Sequence, residues 1–192
     1  MANTPSHSRP TVGILYGFAE GRLTSRILRK ELKQAGYDYA NPNLADIIIS
    51  HSGGYLVMPE TFRAKLIIYV DPNTWGEQSL FTSLKQKLRY DYNLRKSQKQ
   101  MITWLLQGLR NDIYVLKVLH TWKLARGYRA KPLPPATDAH CAVIRNRHDN
   151  YCTTPGLLNW STIQTYLSCE GGHDDIWNNP HKYVEILDRL YE

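Results

Sequence analysis

Three short apolar runs rich in β-branched residues, one before and two after a segment with helical periodicity, predict an α/β fold. The expected form is a three-layer α/β/α sandwich on a mostly parallel sheet of about six strands. The runs are Thr11–Tyr16, Ile47–Ile49 and Lys65–Val70. Side chains branched at Cβ suit extended backbone, and apolar runs without polar alternation suit strands buried on both faces. The alternation of strand and helix is the pattern that builds parallel sheets. It breaks off after Pro72 and resumes at Ala139, so the core is expected at 11–71 and 139–192, around a different segment at 72–138.

Met1–Pro10 is polar and is expected to be a disordered leader without the apolar core of a signal peptide. After the first strand, Gly17-Phe18-Ala19-Glu20-Gly21 forms a loop that draws on glycine freedom. A helix is predicted over Thr24–Ala35, with Ile27, Leu28, Leu32 and Ala35 on its apolar face and Gly36 as terminator. Tyr37–Ala40 then reads as a short edge strand and Asn41-Pro42-Asn43 as a turn. Pro59 lacks the backbone N–H a helix needs, so any helix after Ser52 must be short or kinked.

Beyond the middle segment, Cys141–Ile144 reads as a strand, Arg145–Asn150 as a loop, Leu157–Ile163 as a weak connecting helix and Gln164–Ser168 as the last strand. A closing helix is predicted with Asn179 as cap, Pro180 at its first position, and Tyr183, Val184, Leu187 and Leu190 on its apolar face.

The middle segment has its own composition. Between Lys85 and Lys131 there are 12 Lys or Arg against two acids, Asp91 and Asp112, and leucines recur at helical spacing. It reads as a helical cap insertion closed by Pro132-Leu133-Pro134-Pro135. Such a cap could cover a site as a lid, bind phosphates, or present a solvated face. Of these the lid is favoured and nucleic acid disfavoured. The chain's net charge of +7 is compatible with anionic partners without identifying one. No stretch approaches the ~20 apolar residues that span a bilayer. Cys141, Cys152 and Cys169 lack metal-ligand spacing and are expected as reduced thiols in a cytoplasmic protein.

Chemistry concentrates where strands end. The Ile47–Ile49 strand runs into Ser50-His51-Ser52-Gly53-Gly54, a sharp turn centred on a serine with small residues two positions to either side. That is the pattern of a nucleophile elbow; the alternative is a Gly-rich strand-to-helix turn with an incidental serine, or one that cradles a phosphate. Asp149 and His173 each follow a later predicted strand, so all three would emerge on one edge of a parallel sheet. Asp71, at the end of the Lys65–Val70 strand, is the alternative acid.

At these residues the chain resembles the α/β-hydrolase superfamily, whose order is serine, acid, histidine. The resemblance covers most of 11–71 and 139–192. It implies Ser52 as nucleophile, His173 as general base and Asp149 as the carboxylate that orients the imidazole. It also implies an oxyanion hole from the backbone N–H groups of Phe18 and Gly53, Phe18 following Tyr16-Gly17 where the family has His-Gly. Ser50 in place of the first glycine, Pro59 behind the elbow, and a sheet lacking two N-terminal strands mark a minimal member. The implied activity is hydrolysis of a carboxylic ester or thioester, with no cofactor and no metal; the basic cap, by its charge, suits an anionic substrate. The competing class is a catalytically silent protein of this fold whose basic cap binds a partner or anionic polymer. His51 is expected to pack away from Ser52, His148 to be a solvated neighbour of Asp149, and Asp174 and Asp175 to be solvated loop acids.

Overall fold

The computed structural model describes residues 9–17, 20–72, 138–149 and 162–191. The leader over 1–8, Phe18, the cap segment from 73 to 137, Cys152 and the expected connecting helix over 157–161 lie outside the described residues.

Strands β1 (Thr11–Leu15), β2 (Asp38–Tyr39), β3 (Ile47–His51), β4 (Leu66–Val70), β5 (His140–Asn146) and β6 (Thr165–Cys169) form one sheet in the order β2-β1-β3-β4-β5-β6. All five pairings are parallel. Helix α1 (Arg26–Gln34) lies between β1 and β2, and α2 (Asp175–Asn178) and α3 (His181–Tyr191) close the chain. A 3-10 turn over Ser52–Val57 follows β3. The six-stranded parallel sheet with flanking helices is the fold the sequence predicts.

Alternation along each strand divides the core between the two faces of the sheet. Ile47 and Ile49 of β3, with Leu66, Ile68 and Val70 of β4, pack with Leu28 and Leu32 of α1 and Tyr183, Val184 and Leu187 of α3. Ile48, Ile67, Tyr69, Cys141 and Val143 point the other way, against Tyr55 and Met58 beside the 3-10 turn. Burial of each such isoleucine contributes about 1.5–3 kcal/mol.

The expected helix at Thr24–Ala35 begins two residues later, and its buried stripe is narrower. Leu28 and Leu32 are buried, whereas Ile27 is 50% exposed. Ile27 stands roughly 100° around the helix from Leu28, off the stripe set by the i, i+4 pair. Ala35 is the C-cap and also exposed. In α3, Tyr183, Val184 and Leu187 are buried as expected, Ile186 joins them, and Leu190 is partly buried. The chain entering α3 turns at Pro180, whose carbonyl accepts from the N–H groups of Tyr183 and Val184.

Two features define the rim at the carboxyl ends of the strands. Strand order runs outward in both directions from β1, so the carboxyl ends of β1 and β3 flank a crevice at which open α/β sheets bind ligands. In register, Leu15 lies beside Ser50, His51 beside Val70, and Asn146 beside Cys169, so all these strands end along one rim. No helix among the described residues is long and apolar enough to cross a membrane.

Candidate active site

Ser52 caps this rim in a conformation few non-glycine residues adopt. Its φ is +52°, in the left-handed region, and the side chain is buried. Such backbone costs on the order of 1–3 kcal/mol and persists only where the surroundings impose it. The surroundings here are two close approaches. A Cβ on Gly54 would collide with the Leu15 carbonyl, and one on Gly17 would lie 2.8 Å from the Ser52 Cβ. The elbow is thereby pressed against the end of β1 and the loop that follows it.

Asp149 and His173 are brought together by backbone pairing that continues past β5 and β6. The N–H of Arg147 donates to the Cys169 carbonyl at 2.8 Å, and that of His148 to the Gly171 carbonyl at 3.0 Å. The loops so joined set His173 Nδ1 at 3.0 Å from Asp149 Oδ2, with both side chains withdrawn from solvent. A carboxylate oxygen accepts, so Nδ1 carries the proton and the lone pair of the neutral ring lies on Nε2.

Asp71 belongs to the same cluster but has a different attachment. It too has positive φ, +44°, at the end of β4. It accepts from the backbone N–H of Asn146 at 2.8 Å and from the Asn146 side-chain amide, while Tyr183 Oη donates to Asn146 Oδ1 at 2.8 Å. Burial, and then the nearby Asp149 charge, push the Asp71 carboxyl above the usual carboxylate range. One polar atom each of Asp71, Asp149 and His173 fall within 4.8 Å of one another.

A second buried group was not foreseen. Glu20, in the loop after β1, pairs through Oε1 with His51 Nδ1 at 2.6 Å. His51 Nε2 lies 2.8 Å from the backbone carbonyl of His173, and the two imidazole rings stand 4.7 Å apart. The Trp177 ring meets His51 edge-on at 5.0 Å, and its Nε1–H donates to Glu20 Oε1 at 3.1 Å. His51 therefore packs, as expected, but it is also a charged partner. Glu20 left no periodic signal, being one acid in a glycine-flanked loop whose partners come from 31 and 157 positions away. Glu20, His51 and His173 also bring three candidate ligand atoms within 4.8 Å, the second such group in the described residues. In both groups an imidazole nitrogen already faces a carboxylate.

The remaining site residues fall as follows. Gly53 is the second residue of the 3-10 turn that Ser52 opens, while Phe18 lies outside the described residues. Gly17 N–H is already engaged by Glu20 Oε2 at 2.7 Å. His148 is exposed and pairs with Glu170 at 3.0 Å, as does Arg147 at 2.6 Å, so among the described contacts Arg147 turns to Glu170 and not to Asp149. Asp174 precedes α2 instead of sitting in an extended loop, and Asp175 pairs with Lys182. Helix α2 was not predicted; four residues carry too little periodicity to be read. Cys141 and Cys169 are free thiols.

The fold places the chain among known structures. It superposes on the thioesterase domain from the curacin biosynthetic pathway with TM-score 0.56 and 13% identity, over 93% of this chain and 90% of that one. An α/β-hydrolase enzyme from the metagenome of lagoon sediments at Mar Chica, Morocco, gives TM-score 0.56 at 13% identity, over 95% and 90%. A laboratory-evolved variant of potato epoxide hydrolase gives 0.53 at 12%, over 96% and 93%. No protein-family model matches the chain, and no curated protein matches it by sequence. The protein has the α/β-hydrolase fold.

Proposed function

We propose that the protein is a serine hydrolase that cleaves a carboxylic ester or thioester through Ser52, His173 and Asp149. The fold does not choose the reaction, since similar structures include an epoxide hydrolase and a non-heme bromoperoxidase as well as esterases. The observation that carries the reading is the buried His173–Asp149 pair on the same rim as a serine held in left-handed backbone. A hydroxyl at the elbow suits attack on an acyl carbon.

In this reaction Ser52 Oγ attacks the acyl carbon and passes its proton to His173 Nε2, while Asp149 holds the ring by Nδ1 and stabilises the imidazolium. The carbonyl oxygen becomes an oxyanion facing the backbone N–H groups of Gly53 and Phe18, each such donor worth about 2.7–4 kcal/mol in the transition state. Collapse expels the alcohol or thiol, which takes the proton from His173 and leaves the acyl group on Ser52. Water, deprotonated by His173, then attacks the acyl-enzyme and releases the carboxylic acid.

No cofactor enters this sequence. The basic segment at 85–131 favours an acyl substrate carrying negative charge. The free thiols fit a cytoplasmic setting. Turnover of an ester panel varied in chain length and headgroup charge tests the reading. Activity should be lost in Ser52→Ala, and full activity in that variant contradicts it.

A further inference from the structure

We propose that Glu20 is a positioning residue for this hydrolytic site, its one buried carboxylate fixing the loop after β1, the elbow and the turn that carries His173. The proposal rests on the serine-hydrolase reading above and adds a residue that reading does not use.

Glu20 is only 7% exposed, and its two oxygens meet groups from three separate parts of the chain. Oε2 accepts the backbone N–H of Gly17, just past the end of β1. Oε1 accepts the indole N–H of Trp177 in α2, four residues past His173. The same oxygen faces Nδ1 of His51, the residue before the nucleophile.

The proton count follows from the partners. A backbone carbonyl can only accept, so the 2.8 Å contact with the His173 carbonyl requires a hydrogen on His51 Nε2. Nδ1 then lies 2.6 Å from a carboxylate oxygen, an ion-pair distance that favours a hydrogen on this nitrogen as well. The pairing with the Glu20 carboxylate favours the imidazolium form of His51. Burial opposes that charge, but Glu20 first, with Asp174 and Asp71, outweighs it and brings the His51 pKa to about 9. The remaining titratable neighbour described is His173, whose ring packs on this one.

The chain of contacts therefore runs from Glu20 through the His51 ring to the main chain of the general base. An amide at position 20 has one acceptor oxygen for donors that now use both, so Glu20→Gln must leave at least one of them unpaired. It also removes the charge that holds the second proton on His51. A shift of the base by about 1 Å costs on the order of 10²-fold in rate.

The test is ester turnover as a function of pH in the 192-residue chain, for wild type, Ser52→Ala, Glu20→Gln and His51→Gln. Wild type should show Ser52-dependent turnover that declines on an alkaline limb near pH 9. In Glu20→Gln, kcat should fall by about 10²-fold with KM changed by less than about threefold, and the alkaline limb should move toward neutral pH. In His51→Gln the limb should vanish, because an amide does not titrate; this arm stands even if Glu20→Gln does not fold. A residue that merely stabilised the fold would lower the yield of active protein and leave the limb in place. Ser52-dependent turnover with unchanged kcat and an unmoved limb in Glu20→Gln, or an unmoved limb in His51→Gln, overturns the proposal and leaves the serine-hydrolase reading standing. Wild-type turnover that does not depend on Ser52 removes that reading, and the proposal with it.

Discussion

His173 Nδ1 meets Asp149 Oδ2 across 3.0 Å in a site from which both side chains are shut off from water. The contact joins two loops 24 residues apart in sequence, and it exists because β5 and β6 end side by side and their backbone pairing carries on into those loops.

The two buried acids should separate by kinetics. Asp149→Asn leaves a neutral amide against the His173 ring and favours the wrong tautomer, which should cost about 10⁴-fold in turnover. Asp71→Asn should instead act on stability, because its oxygens hold the Asn146 backbone and side chain. A loss of about 1–3 kcal/mol in urea unfolding is expected. A larger loss of turnover in Asp71→Asn than in Asp149→Asn reverses the two roles.

Folding stability should fall with rising pH above neutrality. The His51 pKa stands at about 9 in the folded chain against its ordinary 6.5. Between these values the folded protein holds a proton that the unfolded chain has released, so the stabilisation is complete below 6.5 and lost as pH passes about 9. The expected slope within that window is about −1.4 kcal/mol per pH unit from this group. Urea midpoints measured across the window should show it, and His51→Gln should flatten that part of the profile. A wild-type profile already flat there contradicts the ion pair.

Tyr183 secures the back of the site. Its hydroxyl donates to Asn146 Oδ1 at 2.8 Å, and the same Asn146 holds Asp71. Tyr183→Phe keeps the ring in the core and strips one buried acceptor of its donor, at an expected cost of about 1–3 kcal/mol. Turnover per folded molecule should change far less than in Asp149→Asn. An unchanged urea midpoint argues against the bond.

Ile48, on the face opposite the helices α1 and α3, is fully buried. Truncation to Ala should destabilise by about 2–5 kcal/mol through lost burial and the cavity left behind. A loss below about 1 kcal/mol would show that this face of the sheet is not packed as described.

What could be read from residues alone follows physical lines. The central strands β1, β3 and β4 were legible because each is built on a short apolar run, and a strand with core clusters on both faces has no need of polar alternation. The sharp turn at Ser52 was legible because a serine between small residues at a strand end is a local pattern. Asp149 and Asp71 could not be separated by pattern, since both end strands on one rim; what distinguishes them is Asn146, whose position depends on the pairing of β4 with β5. Glu20 stayed hidden for a related reason. Its partners His51 and Trp177 are neighbours only once the loops after β1, β3 and β6 have been laid together. Ile27 misled because helical spacing identifies a face only when the first turn is placed correctly.

The most direct test is labelling of the folded protein with a fluorophosphonate, followed by mapping of the adduct by peptide mass spectrometry. One phosphonylated residue, Ser52, is expected, with labelling abolished in Ser52→Ala and strongly slowed in His173→Ala. An adduct at another residue, or undiminished labelling of Ser52→Ala, contradicts Ser52 as the nucleophile.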